Sequence, residues 1–145
     1  MSTDFKSIYR VGGYAFAWLL FVSSAVAQAQ DKLVGEWAGT DSDGDTVSMV
    51  FNADKSAEVL FEGLPALTSS NLVGGSVEWS VDVTHDPMHI DVIIIKHAAE
   101  SGRLRLIAQF LDDQTLDIRN SRDMKTRPSS FEITDSVYQI LLKRQ

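Results

Sequence analysis

The sequence predicts an all-β fold, an eight-stranded antiparallel up-and-down barrel. Apolar and polar residues alternate with a period of two over most of residues 33–144, as strands with one buried face require. Short segments rich in Asp, Asn and Gly separate these runs, and such residues are typical of hairpin turns. A closed meander leaves no free strand edge, which favours a barrel. A two-sheet β-sandwich is the alternative, because counting strands does not separate the two folds.

The alternation defines the strands in order along the chain. In the first strand Leu33 and Trp37 share a face, and in the last one Tyr138 and Arg144 share a face. The clearest alternation lies between them, over residues 76–83, where every second residue is Val or Trp. The predicted strands span residues 33–40, 45–52, 56–62, 76–84, 89–97, 103–111, 114–120 and 136–144.

Two connections are longer than hairpin turns. Residues 63–75 contain three leucines and a Gly pair, and residues 121–135 contain an Arg-Pro pair and Phe131. Long loops in compact domains are often lids or binding loops. We interpret the first loop as a solvated connection whose leucines cover the core, with a lid over a binding pocket as the alternative.

The N-terminal segment predicts export. Residues 1–27 combine a basic start, a short apolar run and small residues ending in Ala-Val-Ala, which is typical of a secretory signal peptide. Cleavage is expected after Ala27, with Ala29 as the alternative, and leaves one domain, residues 28–145, without a membrane span. The chain has no Cys, so the domain cannot use disulfides and has no lipid-modified Cys. We expect a periplasmic or secreted protein.

The charge of the chain argues against one class of partner. The formal net charge is −7, and an acidic surface repels nucleic-acid phosphates. We therefore expect no nucleic-acid partner.

Residues at the two ends of the expected barrel resemble a known signature. Gly35-Glu36-Trp37 lies in the first strand and Arg144 in the last. The pattern resembles the G-x-W…Arg signature of lipocalin-like (calycin) barrels. The resemblance implies that Trp37 plugs one barrel end and that Arg144 lies across its ring, where cation–π attraction would join the first strand to the last.

A second resemblance covers nearly the whole chain after residue 31. It rests on the Leu-x-Gly-x-Trp start, Pro87-x-x-Ile-Asp91, the hairpin at residues 111–116 and Arg127-Pro128-x-x-Phe131. These motifs are similar to those of a family of small exported bacterial lipocalin-like domains of unknown function. The hairpin lacks the central Gly of that family.

The motifs of this second resemblance have structural interpretations. Pro87 suits a strand entry, and Arg127 is expected to pair with Asp91 or Asp86, because guanidinium groups bind carboxylates. Phe131 is expected to plug a barrel end.

The sequence offers little for metal binding or catalysis. His85, His89 and Asp91 form a His/Asp cluster with His97, but zinc requires three or four converging ligands, and His97 is too far along the strand. There is no Cys and no G-x-S-x-G motif to supply a nucleophile. We expect no metal, no cofactor and no enzymatic activity.

The favoured function is the binding of one small apolar or amphipathic ligand, because an eight-stranded barrel is just wide enough to hold one. Phe61, Trp79, Phe110 and Tyr138 are the expected pocket walls. The alternative is a filled barrel that binds a protein or envelope partner through its loops. A metal-dependent enzyme at the His/Asp cluster is the third hypothesis. The sequence leaves the oligomeric state open.

Overall fold

A computed structural model describes residues 15–145, with side chains from Ser24 onward. A helix, α1 (Ala15–Leu33), spans both expected signal cleavage sites. The basic start of the expected signal peptide lies outside the described residues, and the signal peptide remains a prediction. Within the described part of the chain, no helix is both long and apolar enough to cross a membrane.

Residues 34–145 form nine strands and one short 3₁₀ turn at Ser69–Asn71. The strands are β1 (Gly35–Asp41), β2 (Thr46–Phe51), β3 (Ala57–Phe61), β4 (Leu64–Leu67), β5 (Gly75–Asp82), β6 (Met88–Lys96), β7 (Ala99–Asp112), β8 (Thr115–Ser121) and β9 (Val137–Arg144). They form one antiparallel sheet in the order β4-β3-β2-β1-β9-β8-β7-β6-β5. The prediction of an all-β, barrel-like fold is confirmed.

The strand count differs from the predicted eight because β4 lies in the segment that was predicted to be a long loop. Phe61 pairs with Leu64, and the two residues between them, Glu62 and Gly63, both have positive φ. That is the conformation of a two-residue hairpin turn whose twist matches the strands. The sequence did not indicate this turn, because Glu is not a typical residue at such a position.

The first strand also begins later than predicted. Leu33 ends α1 instead of opening β1, and the strand starts at Gly35, whose φ is 138°. Leu33 is nevertheless fully buried, and its carbonyl accepts the indole N–H of Trp37 at 2.8 Å. The last turn of α1 therefore closes this end of the barrel.

Pairing of the two chain-terminal strands curls the sheet. β1 pairs with β9, with Trp37 opposite Arg144. On the far side, β3 and β5 meet at one point, where Ser56 bridges to Glu78 and the Trp79 amide donates to the Lys55 carbonyl at 2.9 Å. The closed end is defined here as the end with α1, the β2–β3 turn and the last residues of β9. The open end is the opposite one, with β4 and the β8–β9 connection.

Candidate functional site

An apolar cavity of about 430 Å³ lies inside the curled sheet at the open end. It is formed where β2, β3 and β4 face β6, β7 and β9. Its apolar walls are Val47, Met49, Val59, Phe61, Ala66, Leu67, Ile94, Leu104 and Ile140. Interior side chains normally fill a protein core to near-crystalline density. The side chains at the open end instead leave an apolar space of about 430 Å³ unfilled.

One polar pair stands in the wall of this cavity. The Asn120 side chain is 2% exposed, and its Nδ2–H donates to the Tyr138 hydroxyl oxygen at 2.9 Å. The Asn120 Oδ1 atom is buried without a hydrogen-bond partner. Burial, followed by the nearby charge of Asp41, raises the pKa of Tyr138, so the phenol stays protonated at neutral pH. The pair therefore offers a hydroxyl and an unused carbonyl oxygen in apolar surroundings.

The alternation of β8 explains why an amide lies there. Successive side chains of a strand point to opposite faces, so Asn120 shares the inner face with Leu116 and Ile118, which are fully buried. On the outer face, Asp117 and Arg119 form an ion pair. A polar residue that continues the apolar face of a strand is the sequence signal for Asn120, which lies outside the motifs described above.

The β8–β9 connection forms part of the cavity mouth through Asp123, Met124 and Lys125. Asp123 holds this turn: its carboxylate accepts hydrogen bonds from the Thr126 hydroxyl and from the Thr126 and Lys125 amides. These bonds, the hydroxyl bond first, lower the pKa of Asp123 to about 2. Met124 is 51% exposed, and its sulfur lies 3.1 Å from Asn120 Nδ2, so its flexible side chain separates the amide from the solvent.

Two of the four expected pocket residues line the cavity, and two do not. Tyr138 lies in its wall and Phe61, 42% exposed, lies at its mouth. Trp79 instead packs on Phe51 at a centroid distance of 5.2 Å and donates its indole N–H to the Asn52 carbonyl at 2.9 Å. The expectation that Trp79 lines the pocket is wrong, because β5 contributes its side chain near the closed end.

The same correction applies to Phe110. Its ring packs on Trp37 at a centroid distance of 6.2 Å, under the Lys32 ammonium group. β7 is long, and Phe110 lies near its closed end while Leu104 reaches the cavity. Strand alternation predicts which face a side chain occupies but not how far along the barrel it lies.

The residues of the G-x-W…Arg pattern meet at the closed end, as the sequence predicts. The Arg144 guanidinium carbon lies 4.3 Å from the centre of the Trp37 ring. The same guanidinium donates to the carbonyls of Val34, at 2.9 Å, and Lys32. A Cβ on Gly35 would lie 2.8 Å from Arg144 Nη1, which explains the glycine. These contacts are structural and lie away from the cavity.

The Arg127 motif lies on the outside of the barrel. Arg127 donates to Asp91 Oδ1 at 2.5 Å and to the Leu106 carbonyl at 2.7 Å. Pro128 is buried. The expected pairing of Arg127 with Asp91 is therefore found.

Phe131 does not plug a barrel end. Its ring lies 5.0 Å from the Arg119 guanidinium carbon, and its carbonyl accepts the Arg119 Nε–H at 2.8 Å. Because Arg119 is on the outer face of β8, Phe131 covers that face. The motif holds the long connection against the sheet.

The His/Asp cluster is divided between two environments. The His85 and His89 rings stack at 3.9 Å, next to Pro87. Asp91 is occupied by Arg103 and Arg127. Burial first, then the charges of Arg127 and His85, lower the pKa of His89. Among residues 24–145, no three His, Asp or Glu side chains are grouped closely enough to hold a metal ion.

Comparison with known proteins gives one similar structure. Neither a protein-family model nor a curated protein matches the chain. The crystal structure of Treponema pallidum Tp0751 (Pallilysin) matches with 16% sequence identity and a TM-score of 0.42, over 87% of this chain and 97% of that one. A similarity this distant supports no statement about function.

Proposed function

We propose that this chain is an exported lipocalin-like barrel that binds one small apolar or amphipathic ligand in the open-end cavity. The observation that carries the proposal is the cavity of about 430 Å³ with almost wholly apolar walls. Its volume is within the range of small-molecule sites, about 300–1,000 Å³. The proposal assigns no catalytic role, metal or cofactor to the site.

The polar pair in the cavity wall, Asn120 and Tyr138, favours a ligand site over a packing defect in the core. Ligand sites combine apolar walls with a few polar groups that fix orientation, and Asn120 with Tyr138 is such a group. A buried acceptor without a partner destabilises a fold by about 1–3 kcal/mol. A ligand hydroxyl or N–H that donates to Asn120 Oδ1 would satisfy this acceptor and recover that free energy.

Export is part of the proposal and rests on residues 1–27 and on the motifs of the domain. A bacterial periplasmic or secreted location follows from the signal-type N-terminus and from the resemblance of the motifs to exported domains. Expression of the full chain in a bacterial host and mass spectrometry of the periplasmic fraction would test it. We expect a mature protein that begins after Ala27 or Ala29, and an intact N-terminus would contradict export.

Binding is tested with N-phenylnaphthylamine, a neutral fluorescent probe. We expect saturable binding to the wild type and loss of binding in Ala66→Phe, which places a large ring in the cavity wall. Ala99→Phe is the matched control, because Ala99 is an exposed strand residue outside the cavity lining. Equal affinity in the two variants would place the probe elsewhere and contradict the proposed site.

Failure of the wild type to bind any neutral or charged apolar probe would overturn ligand binding itself. The function would then pass to the interaction module, with the exposed Leu64 and Val73 as the first residues to test for a protein or envelope partner.

A further inference from the structure

A second, polar depression lies next to the cavity. This depression has a volume of about 460 Å³ and shares Gly102, Arg103 and Lys125 with the cavity. Its remaining lining residues are Glu100, Ser101 and Arg105. An apolar space and a polar space thus meet at the start of β7, and a single molecule could occupy both.

The charged groups around the junction favour an anion. Three cations, Arg103, Arg105 and Lys125, line the two spaces together with two carboxylates, Glu100 and Asp123. The local balance is positive in a chain whose formal net charge is −7. A positive region on an acidic protein concentrates anions and not cations.

Two of these five groups, Arg103 and Glu100, already form an ion pair with each other. Arg103 donates to both carboxylate oxygens of Glu100, at 2.8 and 2.9 Å, and to Asp91 at 2.6 Å. Asp123 is bound by its own turn. Neither carboxylate is therefore available to a cationic ligand, and Arg103 has little capacity for a further anion.

The other two cations are less occupied. Arg105 donates to the Lys125 carbonyl at 3.0 Å, a bond that uses one of its five N–H groups. Within the described residues, no carboxylate lies within 4 Å of the Arg105 guanidinium or the Lys125 ammonium. The pKa of Glu100 is lowered first by its hydrogen bonds from Arg103 and least by the charge of Arg105. The pKa of Asp123 is lowered first by the Thr126 hydroxyl and least by the charge of Lys125.

We propose that the ligand is an amphipathic anion, with its apolar body in the open-end cavity and its carboxylate or phosphate head group at Arg105 and Lys125. This inference rests on the proposed function, and it adds the charge and the orientation of the ligand. Charge-assisted hydrogen bonds from guanidinium and ammonium groups to oxyanions are stronger than neutral ones, so the head group determines which amphipaths bind.

The test compares ligands with one hydrocarbon chain and different heads, each below its critical micelle concentration. Displacement of N-phenylnaphthylamine is measured with dodecanoate, dodecyl phosphate, dodecanol and dodecyltrimethylammonium at neutral pH. We expect both anions to bind at least about tenfold more tightly than dodecanol, and the cation to bind most weakly. The tighter of the two anions identifies the head group as carboxylate or phosphate.

Lys125→Gln provides the variant, because Lys125 is exposed and its loss does not threaten folding. We expect the dodecanoate affinity to fall about three- to tenfold and the dodecanol affinity to stay unchanged. Lys143→Gln is the matched control, since it removes the same charge from an exposed position outside the two spaces. Added salt should weaken the binding of the anions but not of dodecanol.

The outcomes separate the two proposals. Equal affinity for all four head groups, or equal effects of the two Lys variants, would overturn the anionic ligand and leave the cavity as a ligand site. No displacement by any amphipath, together with no probe binding by the wild type, would overturn both.

Discussion

The two ends of this barrel are built from the same strands but packed differently. At the closed end, β9 carries Arg144, which lies on the fully buried Trp37 and bonds to backbone carbonyls of the α1 terminus. At the open end, the same strand carries Tyr138, whose face borders a cavity and a buried amide oxygen without a partner. The first arrangement satisfies its polar groups, and the second leaves space and hydrogen-bonding capacity unused.

Because of this difference, we expect stability to depend mainly on the closed end of the barrel and ligand binding on the open end. Large aromatic side chains at the closed end, Trp37, Trp79 and Phe51, fill the interior and anchor the sheet. The open end uses smaller or half-exposed groups, such as Val47, Val59 and Phe61. Substitutions at the closed end should therefore change the free energy of unfolding, and substitutions at the open end should change ligand affinity.

Trp79→Ala should produce the largest loss of stability. Truncation of a large buried side chain lowers the free energy of unfolding by about 3–5 kcal/mol, and this one also removes the contact with Phe51 and the bond to Asn52. Because Trp79 lies outside the cavity lining, the folded variant should bind N-phenylnaphthylamine with unchanged affinity. Urea unfolding and probe titration measure the two effects.

Low temperature or a mild osmolyte keeps the Trp79→Ala variant folded during the titration. A weakened probe affinity in protein that retains its β-sheet circular dichroism would show that the two ends are coupled and would break the comparison.

Arg144→Ala should have the next largest effect. It removes the cation–π contact with Trp37 and the bonds to the Val34 and Lys32 carbonyls, and we expect a loss of about 1–3 kcal/mol. Lys143→Ala is the matched control on the same strand, and as an exposed substitution it should change stability by less than about 0.5 kcal/mol. Equal effects of the two substitutions would show that the contacts of Arg144 do not stabilise the closed end.

Asn120→Leu should have the opposite effect to the two closed-end variants: it should change stability little and ligand affinity clearly. Leu is close to Asn in shape, and it replaces a buried amide whose oxygen has no partner. The substitution also removes the bond from Asn120 Nδ2 to the Tyr138 hydroxyl. The gain from removing the unpartnered oxygen and the loss of this bond are each about 1 kcal/mol and nearly cancel, so the free energy of unfolding should change little. The lost acceptor should weaken N-phenylnaphthylamine about three- to tenfold, the equivalent of one hydrogen bond.

Benzylnaphthalene is the matched ligand for this variant, because a methylene group replaces the N–H donor. Its affinity should be the same in the wild type and in Asn120→Leu. An equal loss for both ligands would show that the substitution changes cavity shape instead of removing an acceptor.

The sequence predicted the closed end better than the open end, for a physical reason. Gly35 and Trp37 in the first strand contact Arg144 in the last strand, and a short motif was enough to predict this contact. The alternation on β9 also correctly placed Tyr138 and Arg144 on one face. The cavity depends on where strands of different length end relative to each other. Two turns with unusual residues, Glu62-Gly63 and His97-Ala98, both with positive φ, add β4 and extend β7, and neither turn was evident from residue type.

The last and smallest prediction concerns acid, which should loosen the open end before the closed end. The pKa of Asp123 is lowered from 3.8 to about 2 by hydrogen bonds from Thr126 and Lys125. A carboxyl whose pKa is lowered on folding contributes stability that is present above the unfolded value and is lost as the pH falls through the folded value. The turn that carries Met124 and Lys125 should therefore weaken between pH 3.8 and about 2.

NMR shifts of the Lys125 and Thr126 amide protons should report this titration with a midpoint at about 2. The Trp37 indole N–H should stay constant over the same range, because it donates to a backbone carbonyl and Arg144 also bonds to carbonyls, groups that do not titrate. Asp123→Asn should abolish the shift changes at the two amides. A midpoint near 3.8, or an equal response of the Trp37 indole, would show that the ends do not differ in this way.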